Sequence, residues 1–365
     1  MMIVPVDGGT PALLDRLKTI RSAGDVPLVG DARWPSALWQ EISARASAAD
    51  VPSSTAWATL TSGSSGSPLI VLRTSASWAD SFGTVASLLE AGTDDVVALP
   101  APPSASLTLF SLAHALADGP RPALGSAVQS GVTCLHGTPQ ALRAVLDAGP
   151  PSALKAALVG GSHLDEALAD RARAAGIRLT AYYGAAELSF VAVDQGDGLR
   201  PFPGVELSIR KGVLWVQSPF VASGYVGAGG PLRHENGWAT VGDRAEFREG
   251  RLRLLGRGDD AILSASATIV PEEIEEVLRS IPAVVDAVVF GLPQERIGFL
   301  VGALVELADD ADLSQVREFA RGRLLPAHMP RQWFAGRLPR TSSGKPARQE
   351  AVRRVMAKEV PRIDV

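Results

Sequence analysis

The stretch of this chain best suited to chemistry is Thr59-Leu60-Thr61-Ser62-Gly63-Ser64-Ser65-Gly66-Ser67-Pro68. An apolar run, Trp57 to Leu60, precedes it and a strand-like run, Leu69 to Leu72, follows, so it reads as a small-residue loop between two strands. Gly63 and Gly66 let the backbone bend and approach a ligand closely. The hydroxyls of Thr61, Ser62, Ser64, Ser65 and Ser67, with the loop amides, supply donors to an anion such as a triphosphate. No Gly-Lys-Ser/Thr closes the loop, which sets it apart from a Walker P-loop. Taken alone, the same composition suits a flexible Ser/Gly hairpin. No nucleophile stands out elsewhere. Cys134 sits in an apolar run and reads as a small buried hydrophobe. His114, His136, His163, His234 and His328 are scattered, without the spacing of metal ligands, and no Ser-His-Asp or Cys-His set is convincing.

The elements that must position this loop alternate along the chain. Residues 11–22 space their apolar positions like a helix. From about 55 to 183 short apolar runs, at 55–60, 69–73, 95–99, 132–136, 154–159 and 178–183, predict strands. Amphipathic stretches at 75–91, 106–117, 138–148 and 164–175 predict helices. Thr138-Pro139 is a good helix start, a capping residue followed by proline at the first helical position. Such alternation predicts a mostly parallel sheet with helices packed on it. From about 203 to 256 short alternating runs with charged Gly turns, such as Arg210-Lys211-Gly212 and Arg248-Glu249-Gly250, predict antiparallel hairpins. Composition shifts again at Gly256-Arg257-Gly258-Asp259-Asp260. Beyond it come a helix at 271–280, strands at 284–290 and 299–307, a helix at 313–324, a short strand at 332–335 and a basic helix at 346–358.

The expected fold class is therefore a large α/β N-terminal domain, 1–256, carrying a small antiparallel β part, and a small α+β C-terminal lid domain, 257–365, hinged near Asp259. With 35 basic and 39 acidic residues well mixed, and a net charge of -4, a general nucleic-acid surface is disfavoured. One cysteine excludes an internal disulfide framework. The N-terminus shows no secretory signal, and no apolar run reaches the ~18 residues of a membrane span. A cytoplasmic enzyme is the expectation.

Five separated stretches together resemble the AMP-forming adenylating enzymes: acyl-CoA synthetases, luciferases and nonribosomal-peptide adenylation domains. The resemblance covers roughly residues 55 to 350, with the motifs in the family's order. It implies that the opening loop binds the β- and γ-phosphates of ATP, with Thr61 also near the metal. Gly160-Gly161-Ser162 looks like the Gly-Gly segment beside the adenine and acyl pockets. Tyr182-Tyr183-Gly184-Ala185-Ala186-Glu187 resembles the Tyr-Gly-x-Thr-Glu motif; Tyr183 would stack on adenine and Glu187 would hold Mg²⁺. Gly237-Trp238 to Gly242-Asp243 resembles the segment whose Asp accepts both ribose hydroxyls. Arg257 would reach the ribose or phosphate. Leu338 to Lys345 resembles the C-terminal catalytic loop, with Lys345 bridging the substrate carboxylate and the α-phosphate. By family position, Phe82, Leu109, His136, Gly160 to His163 and Phe190 would line the acyl pocket. The implied activity is formation of an acyl-adenylate from a carboxylic acid and Mg·ATP, then transfer to a thiol, with CoA the first choice of acceptor. In size the chain resembles the compact o-succinylbenzoate-CoA ligases.

Four positions depart from the family pattern. Leu69 stands where a Lys usually follows the loop proline, and Ala186 replaces the motif Thr. Pro100 to Ser104 occupies the place of an aromatic or His segment, and Ala265-Ser266 replaces a Gly-Gly pair past the hinge. These leave two alternatives to a CoA ligase: a ligase loading the pantetheine of a carrier protein, and a nucleotide-binding regulatory homologue without turnover.

Overall fold

The computed structural model describes residues 1–61, 68–125, 131–161, 164, 166–257, 262–264, 267–269, 271–294, 298–308, 311–339 and 348–363. The described chain forms two compact units, one made of Met1–Arg33, Trp39–Thr61 and Pro68–Leu255, the other of Trp34–Leu38 and the residues from Gly256 on.

From its N-terminus the chain runs β1 (Ile3–Val6), α1 (Leu13–Ser22), β2 (Val26–Val29), α2 (Ser36–Ser47), β3 (Thr55–Thr61), β4 (Leu69–Thr74) and α3 (Ala76–Leu89). It continues β5 (Val96–Leu99), α4 (Ser106–Leu116), β6 (Arg121–Leu124), β7 (Cys134–Gly137), α5 (Pro139–Asp147), β8 (Ala156–Val159), α6 (Glu166–Ala174), β9 (Arg178–Ala185) and β10 (Ser189–Asp194). Short strands follow: β11 (Arg200–Pro201), β12 (Glu206–Arg210), β13 (Val213–Gln217), β14 (Gly224–Tyr225), β15 (Arg233–Glu235), β16 (Trp238–Thr240), β17 (Asp243–Arg248) and β18 (Arg251–Arg257).

These strands make three sheets. One runs β1-β2-β3-β4-β14, one runs β11-β10-β9-β8-β7-β5-β6, and one runs β15-β16-β13-β17-β18 with β12 beside β13. The seven-stranded sheet is parallel from β6 through β9 and antiparallel only at β10 and β11. The strands and helices expected between 55 and 183 form within a few residues of their predicted bounds, but in two sheets rather than one. β3 and β4 make an antiparallel hairpin in register Thr61↔Leu69, and join β1 and β2 at the N-terminus, which hydrophobic spacing alone did not reveal. Val26, Leu28 and Val29 are buried, and Pro27 interrupts the alternation that marks a strand. The start of α5 behaves as predicted: the Thr138 hydroxyl accepts from the Ala141 amide at 3.3 Å, with Pro139 at the first helical position.

The core of the first unit contains a string of rings. Trp57 meets Trp78, Trp78 meets Phe110, and Phe110 meets Phe190 at 5.0 Å; Phe190 then stacks on Phe202, which meets Phe220. Edge-to-face and offset contacts of this kind add stability beyond area burial. Two histidines lie among them. His114 stacks on Phe82 at 4.6 Å. His136 is fully buried, its Nδ1 2.7 Å from the Ser111 hydroxyl and its Nε2 3.1 Å from that of Tyr182. The Cys134 thiol is sealed in the same layer, donating to the Leu89 carbonyl at 3.3 Å; burial pushes it up to about 11. Among the described residues no helix is long and apolar enough to cross a membrane.

The second unit contains β19 (Ile262–Ser264), β20 (Ala267–Ile269), α7 (Pro271–Arg279), β21 (Val284–Gln294), β22 (Gly298–Leu307), α8 (Leu313–Arg321), β23 (Gln332–Ala335) and α9 (Arg348–Met356). β21 and β22 form a long antiparallel hairpin, and β23 adds to β22 in parallel. The α7 helix buries Ile274 and Leu278 in this unit's core. Glu275, 4% exposed, ties three elements together. Its carboxylate accepts from the Val289 amide at 2.8 Å, from Arg279 at 2.9 Å and from Arg348, which also donates to the Val289 carbonyl.

Two outcomes follow from these buried groups. Glu275→Ala strands the Arg348 charge and the Val289 amide, and should cost about 3–5 kcal/mol of stability in thermal or urea unfolding. Burial holds His136 down to about 3 and His114 down to about 4, whereas unfolded histidine titrates near ~6.5. The unfolded chain therefore binds more protons below that pH, and stability is lost as pH falls from about 6.5 towards 4. Each histidine should contribute a slope of roughly 1.4 kcal/mol per pH unit. Urea midpoints measured across that window should shift with pH, and His136→Asn should remove one histidine's share; an unchanged slope in the variant would refute the assignment.

Candidate functional site

The site is built on β9 and the turn after it. Successive side chains of a strand point to opposite faces, and Tyr182 and Tyr183 divide accordingly. Tyr182 turns into the core, its ring 4.7 Å from that of Phe190 and its hydroxyl on His136; burial raises its phenol above the ordinary value. Tyr183 turns the other way, and its hydroxyl donates to the carboxylate of Asp243. That hydrogen bond joins two motifs 60 residues apart in sequence. Asp243 opens β17 behind a turn in which the Thr240 hydroxyl donates to the Leu214 carbonyl at 2.6 Å and accepts from the Gly242 amide at 3.0 Å.

Gly184 has a steric reason to be glycine: a Cβ there would lie 2.1 Å from the Ser189 carbonyl oxygen. Gly160, past the end of β8, donates its amide to the Gly137 carbonyl, and a Cβ on it would lie 2.3 Å from the Tyr182 ring. The Gly160 segment and β9 therefore sit in backbone-to-ring contact. Gly161 follows with φ 89°.

Glu187 comes at the end of this turn and is 1% exposed. Its Oε1 accepts from the Tyr225 hydroxyl at 2.9 Å, and its backbone carbonyl accepts from the Ala222 amide at 2.7 Å. The Tyr225 oxygen accepts in turn from the Leu232 amide. On the other side of the turn Arg73, fully buried on β4, donates to the Ala186 carbonyl from Nε and Nη2 at 3.2 and 3.0 Å. Burial pulls the Arg73 guanidinium down to about 9, and the Glu187 charge opposes that shift.

Within the first unit the structure thus gathers Gly160, Gly161, Tyr183, Gly184, Glu187 and Asp243 around β9. Thr61 closes β3, the strand paired with the Arg73 strand. Arg257 closes β18. Ser62, Gly63, Ser64, Ser65, Gly66, Asp259 and Lys345 lie outside the described residues. Of the residues expected to line an acyl pocket, Leu109, His136 and Phe190 are at most 3% exposed and lie in the core, Phe82 is half-buried, and Ser162 and His163 lie outside the described residues. Arg73 and Tyr225, which grip the Glu187 turn, were not singled out from the sequence. Arg73 did leave a trace there, as an arginine inside an otherwise apolar strand.

Among the described residues no cluster of three or more His, Cys, Asp or Glu could hold a metal ion by itself. Mg²⁺ keeps water and phosphate ligands and is commonly bound through one or two carboxylates. Glu187 is such a carboxylate, and Thr61 offers a hydroxyl oxygen.

Comparison with known proteins gives the family. The model of the AMP-binding enzyme family matches residues 8–226, and that of the AMP-binding enzyme C-terminal domain matches residues 273–345. A 2-succinylbenzoate–CoA ligase of Salmonella typhimurium strain LT2 is 34% identical over 50% of this chain and 41% of its own length. An uncharacterised acyl–CoA ligase, YhfT, of Bacillus subtilis strain 168 is 30% identical over 79% of this chain and 66% of its own length. The matched part of the chain thus spans about a third to two thirds of the length of the curated relatives, 41% and 66% for these two. Among solved structures, a double mutant of o-succinylbenzoate CoA synthetase from Bacillus subtilis, bound with its product analogue OSB-NCoA, superposes with a TM-score of 0.84 at 19% identity. The match covers 100% of this chain and 89% of that one, and shows a shared fold. With a family model spanning more than half its length and the motif residues gathered around one strand, the chain belongs to the AMP-binding enzyme family.

Proposed function

We propose that the chain activates a carboxylic acid with ATP and passes the acyl group to a thiol, CoA being the acceptor of first choice. The observation that carries this reading is the Tyr183–Asp243 hydrogen bond. It brings the expected adenine and ribose residues side by side, with Glu187 four positions further along the chain from Tyr183. In the first step a carboxylate oxygen attacks the α-phosphorus and pyrophosphate leaves; in the second the thiol sulfur attacks the acyl carbon, AMP leaves, and the thiol proton passes to solvent.

The protein needs no nucleophile of its own, since positioning and charge neutralisation suffice. Tyr183 offers a ring face to adenine, and Asp243 offers two oxygens to the ribose hydroxyls. Glu187 and Thr61 would hold Mg²⁺, which supplies charge neutralisation on the phosphates. The loop from Ser62 to Gly66, Arg257 and Lys345 are assigned to the phosphates and the reacting carboxylate from their places in the motifs, with 257–365 as the lid and the hinge near Asp259. Such a reaction, using ATP and CoA, belongs in the cytoplasm. The names of the relatives put 2-succinylbenzoate at the head of the substrate panel.

Pyrophosphate release should be measured across short, aromatic and long acids with CoA or a holo-carrier protein as acceptor. At least one acid should give ATP-dependent release, and Lys345→Ala should lower the rate of adenylate formation by on the order of 100-fold or more. No release with any acid would sink the reading, and ATP binding without turnover would favour a regulatory homologue. Asp243→Ala should raise the KM for ATP by about tenfold or more, the scale of losing a hydrogen bond to a charged group, with a smaller effect on the KM for the acid.

A further inference from the structure

Arg73 belongs to none of the motifs, yet it makes the most demanding contacts near Glu187. Its side chain is fully buried. Nε and Nη2 donate to the Ala186 carbonyl, while Nη1 donates to the Phe220 carbonyl at 2.8 Å and to the Ser77 hydroxyl at 3.0 Å. The guanidinium lies 5.3 Å from the centre of the Trp78 ring. All these acceptors are neutral. The charge that acts on it is that of Glu187, one residue beyond the carbonyl it holds.

A buried cation is costly unless paired and hydrogen-bonded. An apolar residue would fill this β4 position in the same core without that cost, so the arginine calls for a reason beyond packing. The geometry supplies one. β4 pairs with β14 in register Tyr225↔Val71 and Gly224↔Leu72. Arg73 and Tyr225 are therefore carried on adjacent strands of one sheet, and both reach the Glu187 turn, Arg73 at its backbone and Tyr225 at its carboxylate. The same β4 emerges from the Ser/Gly loop. The strand leaving the proposed phosphate loop thus also fixes the carboxylate proposed to meet the metal.

We propose that Arg73 is a positioning residue: its fork fixes the Ala186 carbonyl, and with it the placement of the Glu187 carboxylate towards the divalent cation that accompanies ATP. This rests on the reading of Glu187 given above. Lysine in its place keeps the charge but not the planar fork, so it cannot hold the Ala186 and Phe220 carbonyls and the Ser77 hydroxyl together. Loss of the fork loosens Glu187 while the nucleoside contacts at Tyr183 and Asp243 are untouched.

The test compares the parent chain, Arg73→Lys and Leu28→Ala by calorimetric titration with ATP, with and without Mg²⁺. Leu28 is fully buried in β2 and supplies a matched loss of core stability. The parent should bind ATP more tightly with Mg²⁺ than without. In Arg73→Lys that gain should shrink by about tenfold, with metal-free ATP affinity within about twofold of the parent, and Leu28→Ala should keep the full gain. An undiminished Mg²⁺ gain in Arg73→Lys, or an equal loss in Leu28→Ala, would overturn the inference. A parent that binds Mg·ATP but releases no pyrophosphate would sink the proposed activity, while the binding comparison would still decide on Arg73. A parent that binds no ATP would overturn both.

Discussion

A guanidinium closed off from water must find an acceptor for its N–H groups within the protein, and Arg73 finds its acceptors on three separate segments. It joins β4 to the start of α3 through Ser77, to the turn after β9 through Ala186, and to the segment before β14 through Phe220. Two sheets that the chain builds separately, the five-stranded and the seven-stranded, are therefore stitched at one buried charge. An unpaired charge in that layer would be far more costly than an unpaired amide. The placement of the Glu187 turn is therefore determined by the acceptors Arg73 requires, with local turn preferences secondary.

Around that stitch, the two faces of β9 are held by different partners. The Tyr182 face is locked by His136, Phe190 and the Gly160 backbone, all inside the ring-filled core. The Tyr183 face meets Asp243 on a different sheet. A ring whose neighbour is held by a rigid interior is presented with little further loss of side-chain freedom, which is how preorganised sites reduce the cost of holding a ligand. The second unit uses the same device on a smaller scale, where Glu275 and Arg348 link two helices to the β21–β22 hairpin.

Much of this was legible in the sequence because period and punctuation agree with the final structure. Thr138-Pro139 announced α5, and strands β5, β7, β8 and β9 fell where short apolar runs predicted them. Tyr183, Glu187 and Asp243 could be named because their spacing is that of known motifs. Two kinds of information were missing. β1 and β2 are four residues each, and prolines at positions 5 and 27 break the alternation that would mark them; their place is set by tertiary pairing, β1 on β2 and β2 on β3. Arg73 and Tyr225 act through partners 113 and 38 residues away, and no local pattern reports such a distance. The residues read as acyl-pocket lining show the same limit from the other side. Apolar residues that face a ligand and those that face one another look alike in sequence, as at Leu109 and Phe190, both of them buried.

The sealed thiol at position 134 has a practical bearing on bench work. It is the chain's single cysteine, it faces the Leu89 carbonyl inside the sheet layer, and its ionised form is disfavoured there. Disulfide and maleimide reagents react with exposed thiolates, so the folded protein should be silent to them. A colorimetric thiol assay on this protein can then be read without background from the polypeptide. A cysteine introduced at any surface position would also serve as a unique attachment point for a fluorophore or spin label.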